Sequence, residues 1–258
     1  MKDYLVNYLQ VPEDHIQLLV DDGATRDNIL TAFYDHLRDN TRVQHGDTII
    51  MYFAGHGSSY AAAGLFPATL APIESICPVD RGQLLHGQKV LDISDREINL
   101  FLSELCESKG NNITLILDCC FSGGATRSTD EPGARVALPL EHTLRDMLNA
   151  AELNPRKSWE VGLAVSKDWE PDMTSHVIIA ACQDYQKAWE TADHHGEFTA
   201  ALLDALKSLT LNTTTYRGLV KHIGVLSRQE PLAAGSLVDS VIFNFGDEHS
   251  AMIDQDAS

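Results

Sequence analysis

Apolar positions fall along the chain in two rhythms. Four short runs, at residues 16–20, 49–53, 113–117 and 177–181, carry few polar interruptions. The last three are nearly continuous rather than alternating, as expected of strands covered on both faces of a parallel sheet. Residues 241–243, Val-Ile-Phe, predict a further, shorter strand. Between the runs the spacing turns helical. Ile29, Phe33 and Leu37 form one stripe within residues 25–39, and Ile98, Phe101, Leu102 and Leu105 another within 94–107. Later stripes are Phe198, Leu202, Ala205 and Leu209, then Tyr216, Leu219, Ile223 and Leu226. Ser94, three residues before Glu97, predicts a capping box at the start of the second helix. Strands alternating with helices of this length predict right-handed crossovers and a three-layer α/β/α sandwich with a mostly parallel central sheet. One domain over residues 1–258 is expected, long enough to bury a sizeable core.

Two stretches break the rhythm. Residues 57–91 are rich in Ala, Pro and Gly, and residues 122–175 form a long polar loop region with helical potential only around 138–153. Connections of this length in a compact domain are usually functional or disordered. Residues 1–9 read as the second half of an amphipathic helix, with Tyr4, Leu5, Tyr8 and Leu9 on one face. They hold no apolar signal core, and no later segment has the length of a membrane span.

Charge narrows the partners. Nineteen Lys and Arg stand against 37 Asp and Glu, a formal charge of -18. Such an excess repels nucleic-acid phosphates and anionic membranes and favours basic peptides, although it also serves solubility alone. The five cysteines show neither zinc spacing nor a disulfide framework, so a reducing, cytoplasmic compartment is expected.

Two strand ends carry unusual clusters. One run ends Ala54-Gly55-His56-Gly57-Ser58 and another ends Asp118-Cys119-Cys120-Phe121-Ser122-Gly123. Ligands of open α/β sheets bind at the carboxyl ends of strands. A histidine flanked by glycines lets a substrate backbone come close. A cysteine on a neighbouring strand tip is within reach of that imidazole, which supports the thiolate and then protonates the leaving amine. Taken singly, a Gly-His-Gly turn is more often incidental and a strand cysteine more often plain packing. Their joint placement shifts the balance toward catalysis.

The motifs then become specific. Tyr52-Phe53-Ala54-Gly55-His56-Gly57 and Leu115-Ile116-Leu117-Asp118-Cys119-Cys120-Phe121-Ser122-Gly123 resemble the two catalytic strand ends of the caspase-fold cysteine peptidases (family C14), of the fungal metacaspase-like type. The segment from Asp21 to Ile29, the Ala181-Cys182 strand end and the Gly196-Glu197-Phe198-Thr199 helix opening are similar to the family's later pieces. The resemblance implies a caspase-type sandwich and cysteine endopeptidase activity, with a role in regulated cell death. It implies His56 as general acid/base and Cys120 as nucleophile, with the backbone N–H groups of Gly57 and Cys120 as the oxyanion hole. Asp118, beside Ala54, corresponds to a carboxylate that selects Arg or Lys at P1. Asp118 as a buried structural carboxylate is an equally open reading. Cys119 occupies a variable position and reads as packing.

Departures matter as well. The family's first apolar strand and its R-G-C-x-N-D segment are not in this sequence, which reads as an N-terminally truncated caspase domain. Phe121 stands where His is common, and Ala54 replaces a usual Ser. No cofactor is required. Calcium, which some relatives bind, has Asp80 and Asp95 as loose matches, but Arg96 and Arg127 fall where further acidic ligands belong. His194-His195 lacks a metal-ligand partner at helical spacing, and Ser122 lacks the first glycine of a nucleophile elbow. No metal site is expected. The competing expectation is a catalytically inactive caspase-like module that acts as a binding or regulatory domain.

Overall fold

The structure is a computed structural model that describes residues 1–62, 65–67, 71–119, 137–182 and 196–244. Its centre is a four-stranded sheet in the order β1 (Ile49–Ala54), β7 (Ile113–Asp118), β8 (Val177–Ala180) and β9 (Leu232–Ala234). The first three are parallel and β9 runs antiparallel to β8. Three of the four apolar runs are therefore sheet strands. The mostly parallel α/β sandwich stands as expected.

Helices cover both faces, because successive residues of a strand point to opposite sides. Met51, Leu115 and Leu117 pack with Ile29, Tyr34, Phe101 and Leu105 on one side. That layer is built by α2 (Arg26–Thr31), its continuation as a π-helical stretch (Ala32–Arg38), and α3 (Asp95–Lys109). On the other side Ile116, Val177 and Ile179 pack with Tyr4, Phe198, Leu202 and Leu219. These come from α1 (Lys2–Asn7), α5 (Glu197–Ser208) and α6 (Tyr216–Ile223). The remaining helix, α4 (Leu144–Leu153), buries Met147 and Leu148 against Tyr60 and Ile73.

The Ser94 cap acts as read, and two threonines that the sequence did not single out cap other helices. Thr25, Ser94 and Thr215 cap α2, α3 and α6 by accepting from the N–H of Asn28, Glu97 and Gly218. Half of the capping box is missing, however. The Glu97 carboxylate does not reach back to Ser94; it takes two hydrogen bonds from Arg26, at 2.9 and 2.8 Å. An almost fully enclosed carboxylate is better matched by a guanidinium than by a single amide.

Three expectations change. Residues 16–20 form no strand: Leu18 is 52% and Val20 58% exposed, and no described strand pairs with the segment. An apolar run becomes a strand only beside a ladder that accepts it, and β1 has β7 as its one described partner. Residues 241–243 give only the isolated bridge between Thr215 and Val241, while Ile242 and Phe243 plug the core around Tyr216. The sheet's last strand is instead β9, whose three short residues carry little pattern. Lastly, residues 57–91 are not a bare connection. They hold the antiparallel strands β2 (Gly57–Tyr60) and β3 (Ile73–Ile76) and the hairpin β4 (Leu84–Leu85) with β5 (Gln88–Lys89), and β6 (Ile93–Ser94) follows to pair with β3.

Candidate active site

The two strand-end motifs leave the sheet side by side. In the β1–β7 ladder Ala54 is the partner of Asp118, and the Gly55 N–H donates to the Asp118 carbonyl at 3.3 Å. His56 and Cys120 each follow that matched pair by two residues in the sequence. His56 is exposed where β1 turns into β2, and its carbonyl accepts from the Cys77 N–H at 3.0 Å. Cys120 lies outside the described residues, as do Phe121, Ser122, Arg127 and His194-His195.

The next residue, Gly57, stands opposite Ile76 between two ladder hydrogen bonds, so its N–H points away from β3. Its carbonyl accepts from the Ala137 N–H at 2.8 Å. This leaves the Gly57 amide directed out of the small sheet, at the end of the chain segment that carries His56. Cys119, by contrast, is 2% exposed and packs with Leu117, Leu102 and Phe101 on the α3 side of the sheet. Cys182, at the tip of β8, turns its thiol toward the Cys119 carbonyl at 3.8 Å.

Asp118 occupies the opposite face. It is fully buried, and the Thr199 hydroxyl donates to its Oδ2. Thr199 Oγ1 also lies 2.7 Å from the Tyr52 hydroxyl, so β1, β7 and α5 meet at one carboxylate. Gly196 precedes α5 at its N-cap, and a Cβ there would overlap the Asp118 carboxyl group. Only glycine permits this approach. The amino end of a 12-residue helix favours negative charge, which suits a carboxylate held in this position. The sequence flagged Tyr52 in one motif and Gly196 with Thr199 in another. Their convergence on Asp118 required the fold.

The acidic residues weighed for calcium are committed elsewhere. Asp80 Oδ1 accepts the N–H of Arg26 at 2.9 Å and so caps α2. Asp95 accepts backbone N–H groups from Glu74 and Arg96, at 3.3 and 2.7 Å, and burial pushes its carboxyl up to about 6. Among the described residues no group of three or more His, Cys, Asp or Glu could hold a metal ion. Calcium coordination needs six or more oxygen ligands, more than Asp80 and Asp95 alone supply. Among the described residues, also, no helix is long and apolar enough to cross a membrane.

Comparison with known proteins bears on the family and the fold. The sequence profile of the caspase domain of peptidase family C14 matches residues 1–225. A search of curated proteins finds no match. Among solved structures, the crystal structure of protein GSU0716 from Geobacter sulfurreducens superposes with a TM-score of 0.58 at 18% identity, covering 90% of this chain and 83% of that one. At that identity the likeness concerns the fold.

Proposed function

Since the chain belongs to the caspase-domain peptidases of family C14, we propose that it is a cysteine endopeptidase that cleaves after Arg or Lys with a Cys120–His56 dyad. The observation that carries this reading is the pairing of Ala54 with Asp118, from which both motifs depart at equal spacing.

In this reading the Cys120 thiolate attacks the scissile carbonyl carbon, forming a C–S bond and placing negative charge on the carbonyl oxygen. The N–H groups of Gly57 and Cys120 stabilise that oxyanion. His56, as imidazolium, gives its proton to the leaving amine as the C–N bond breaks, and a thioester remains. Water, deprotonated by His56, then attacks the thioester, releases the acid and restores the thiol. Asp118, with Ala54 beside it, attracts the P1 cation, because a desolvated carboxylate discriminates strongly for a positive side chain. The net charge of -18 supports basic peptides as substrates.

The test is a thiol-reactive peptide probe with Arg at P1, applied to the parent protein and to Cys120→Ala and His56→Ala. Labelling of the parent and loss in both variants is the expected result. If the folded parent takes no label while a Cys-selective alkylator still modifies Cys120, the dyad is not assembled. The chain is then the inactive module.

A further inference from the structure

The backbone around Gly57 is tied from both sides. A peptide unit is planar, so the His56 carbonyl and the Gly57 N–H point in opposite directions. The Cys77 N–H holds that carbonyl at 3.0 Å, which aims the Gly57 N–H away from β3. A glycine still lets the next peptide plane swing. Here the Ala137 N–H holds that plane, through the Gly57 carbonyl, at 2.8 Å.

Residues 137–140 are in turn fastened by their backbone. The Leu138 carbonyl accepts from Arg81 Nη2 at 3.0 Å, and the Leu140 N–H donates to the Tyr60 hydroxyl at 3.2 Å. Both side chains converge on Asp92, which is fully buried. Arg81 donates to it with Nε and Nη2 at 2.6 and 2.7 Å, and the Tyr60 hydroxyl donates at 2.7 Å. Leu138 itself is 57% exposed, so burial of that side chain does not hold the segment. A buried ion pair gains little net stability once desolvation is counted, which leaves geometry as what this one supplies.

We propose that Ala137, through its N–H, and Arg81 and Tyr60, which support it, are positioning residues that fix the Gly57 amide in the direction a developing oxyanion requires. The proposal rests on the peptidase reading and adds to it residues from outside both strand-end motifs. Oxyanion stabilisation depends on donors that are aimed before the charge forms. With the segment released, Gly57 would rock, substrate would bind as before, and the oxyanion would be held less well. The signature is a lowered kcat with KM kept.

The test is steady-state cleavage of Arg-P1 peptides by the full chain, with active sites counted by the thiol-reactive probe. Ala137→Pro removes the N–H, and kcat per labelled site should fall about 10-fold with KM within about 2-fold of the parent. Arg81→Lys keeps a cation beside Asp92 but loses the fork that also reaches Leu138, and its kcat should fall about 3-fold. Leu138→Ser changes an exposed side chain and should match the parent. Should Ala137→Pro fail to fold, Arg81→Lys and Tyr60→Phe decide by the same criterion. A purely structural role would lower the number of labelled sites and leave kcat per site intact; that result overturns the proposal, as does a raised KM at constant kcat. A parent that takes no label overturns the peptidase reading and this proposal with it, whereas an active parent matched by its variants overturns this proposal alone.

Discussion

Tyr52 of β1 and Thr199 of α5 lie 147 residues apart and share a 2.7 Å hydrogen bond beside the Asp118 carboxylate. Asp118 is thus aimed by groups from a neighbouring strand and a covering helix. The aim of that carboxylate becomes a measurable property.

Thr199→Val keeps the side-chain volume and deletes the hydroxyl that serves Asp118. A hydrogen bond to a charged group contributes about 1.5–3 kcal/mol, so kcat/KM on Arg substrates should fall at least about 10-fold. Thr199→Ser should restore most of it, and Tyr52→Phe should cost less than Thr199→Val. Steady-state kinetics on Arg and Ala P1 peptides provide the check. An equal loss on both peptides would mean that Thr199 supports the fold rather than the P1 preference.

Gly196→Ala introduces a Cβ where the Asp118 carboxyl group already sits. Overpacking of this kind costs about 1–3 kcal/mol, and a thermal midpoint lowered by roughly 5 °C is expected. Turnover of basic peptides should fall further than stability alone explains, since the carboxylate must move. Unchanged unfolding and unchanged kinetics together would show that the helix N-terminus yields freely.

Cys119 and Cys120 should separate cleanly. Cys119 is packed among Leu117, Leu102 and Phe101, so Cys119→Ala should lose about 1 kcal/mol of stability and keep the rate of probe labelling. Cys120→Ala should lose labelling and keep stability. Denaturant unfolding and labelling, run on both variants, decide the matter; the reverse pattern would move the nucleophile to Cys119.

Acid stability should reveal two opposed buried groups. Burial lowers His176 from 6.5 to about 4, so the unfolded chain takes the proton first and stability is lost as pH falls through that window. Burial raises Asp95 from 3.8 to about 6, so the native state holds a proton that the unfolded chain releases, and stability is gained as pH falls through nearly the same range. Each effect is worth about 3 kcal/mol in full. Relative to the parent, His176→Phe should therefore gain stability from pH 7 to pH 4.5, and Asp95→Asn should lose it. Urea midpoints across that range measure both. Curves that run parallel for all three proteins would contradict the assignment.

Much of this protein is determined by local sequence. The runs that become β1, β7 and β8 are apolar throughout because both of their faces are covered, and caps such as Thr25, Ser94 and Thr215 act through residues three positions away. The motifs around His56 and Cys120 are equally legible, since each is a continuous stretch at a strand end. Pairing is not local. Residues 16–20 have the composition of a strand and, among the described residues, no ladder to join, whereas the three residues of β9 become one because β8 offers an edge. Nor did the sequence show that Tyr52, Gly196 and Thr199 serve one carboxylate. Those relationships depend on register and on which helix covers which face, and both are settled only when the layers pack.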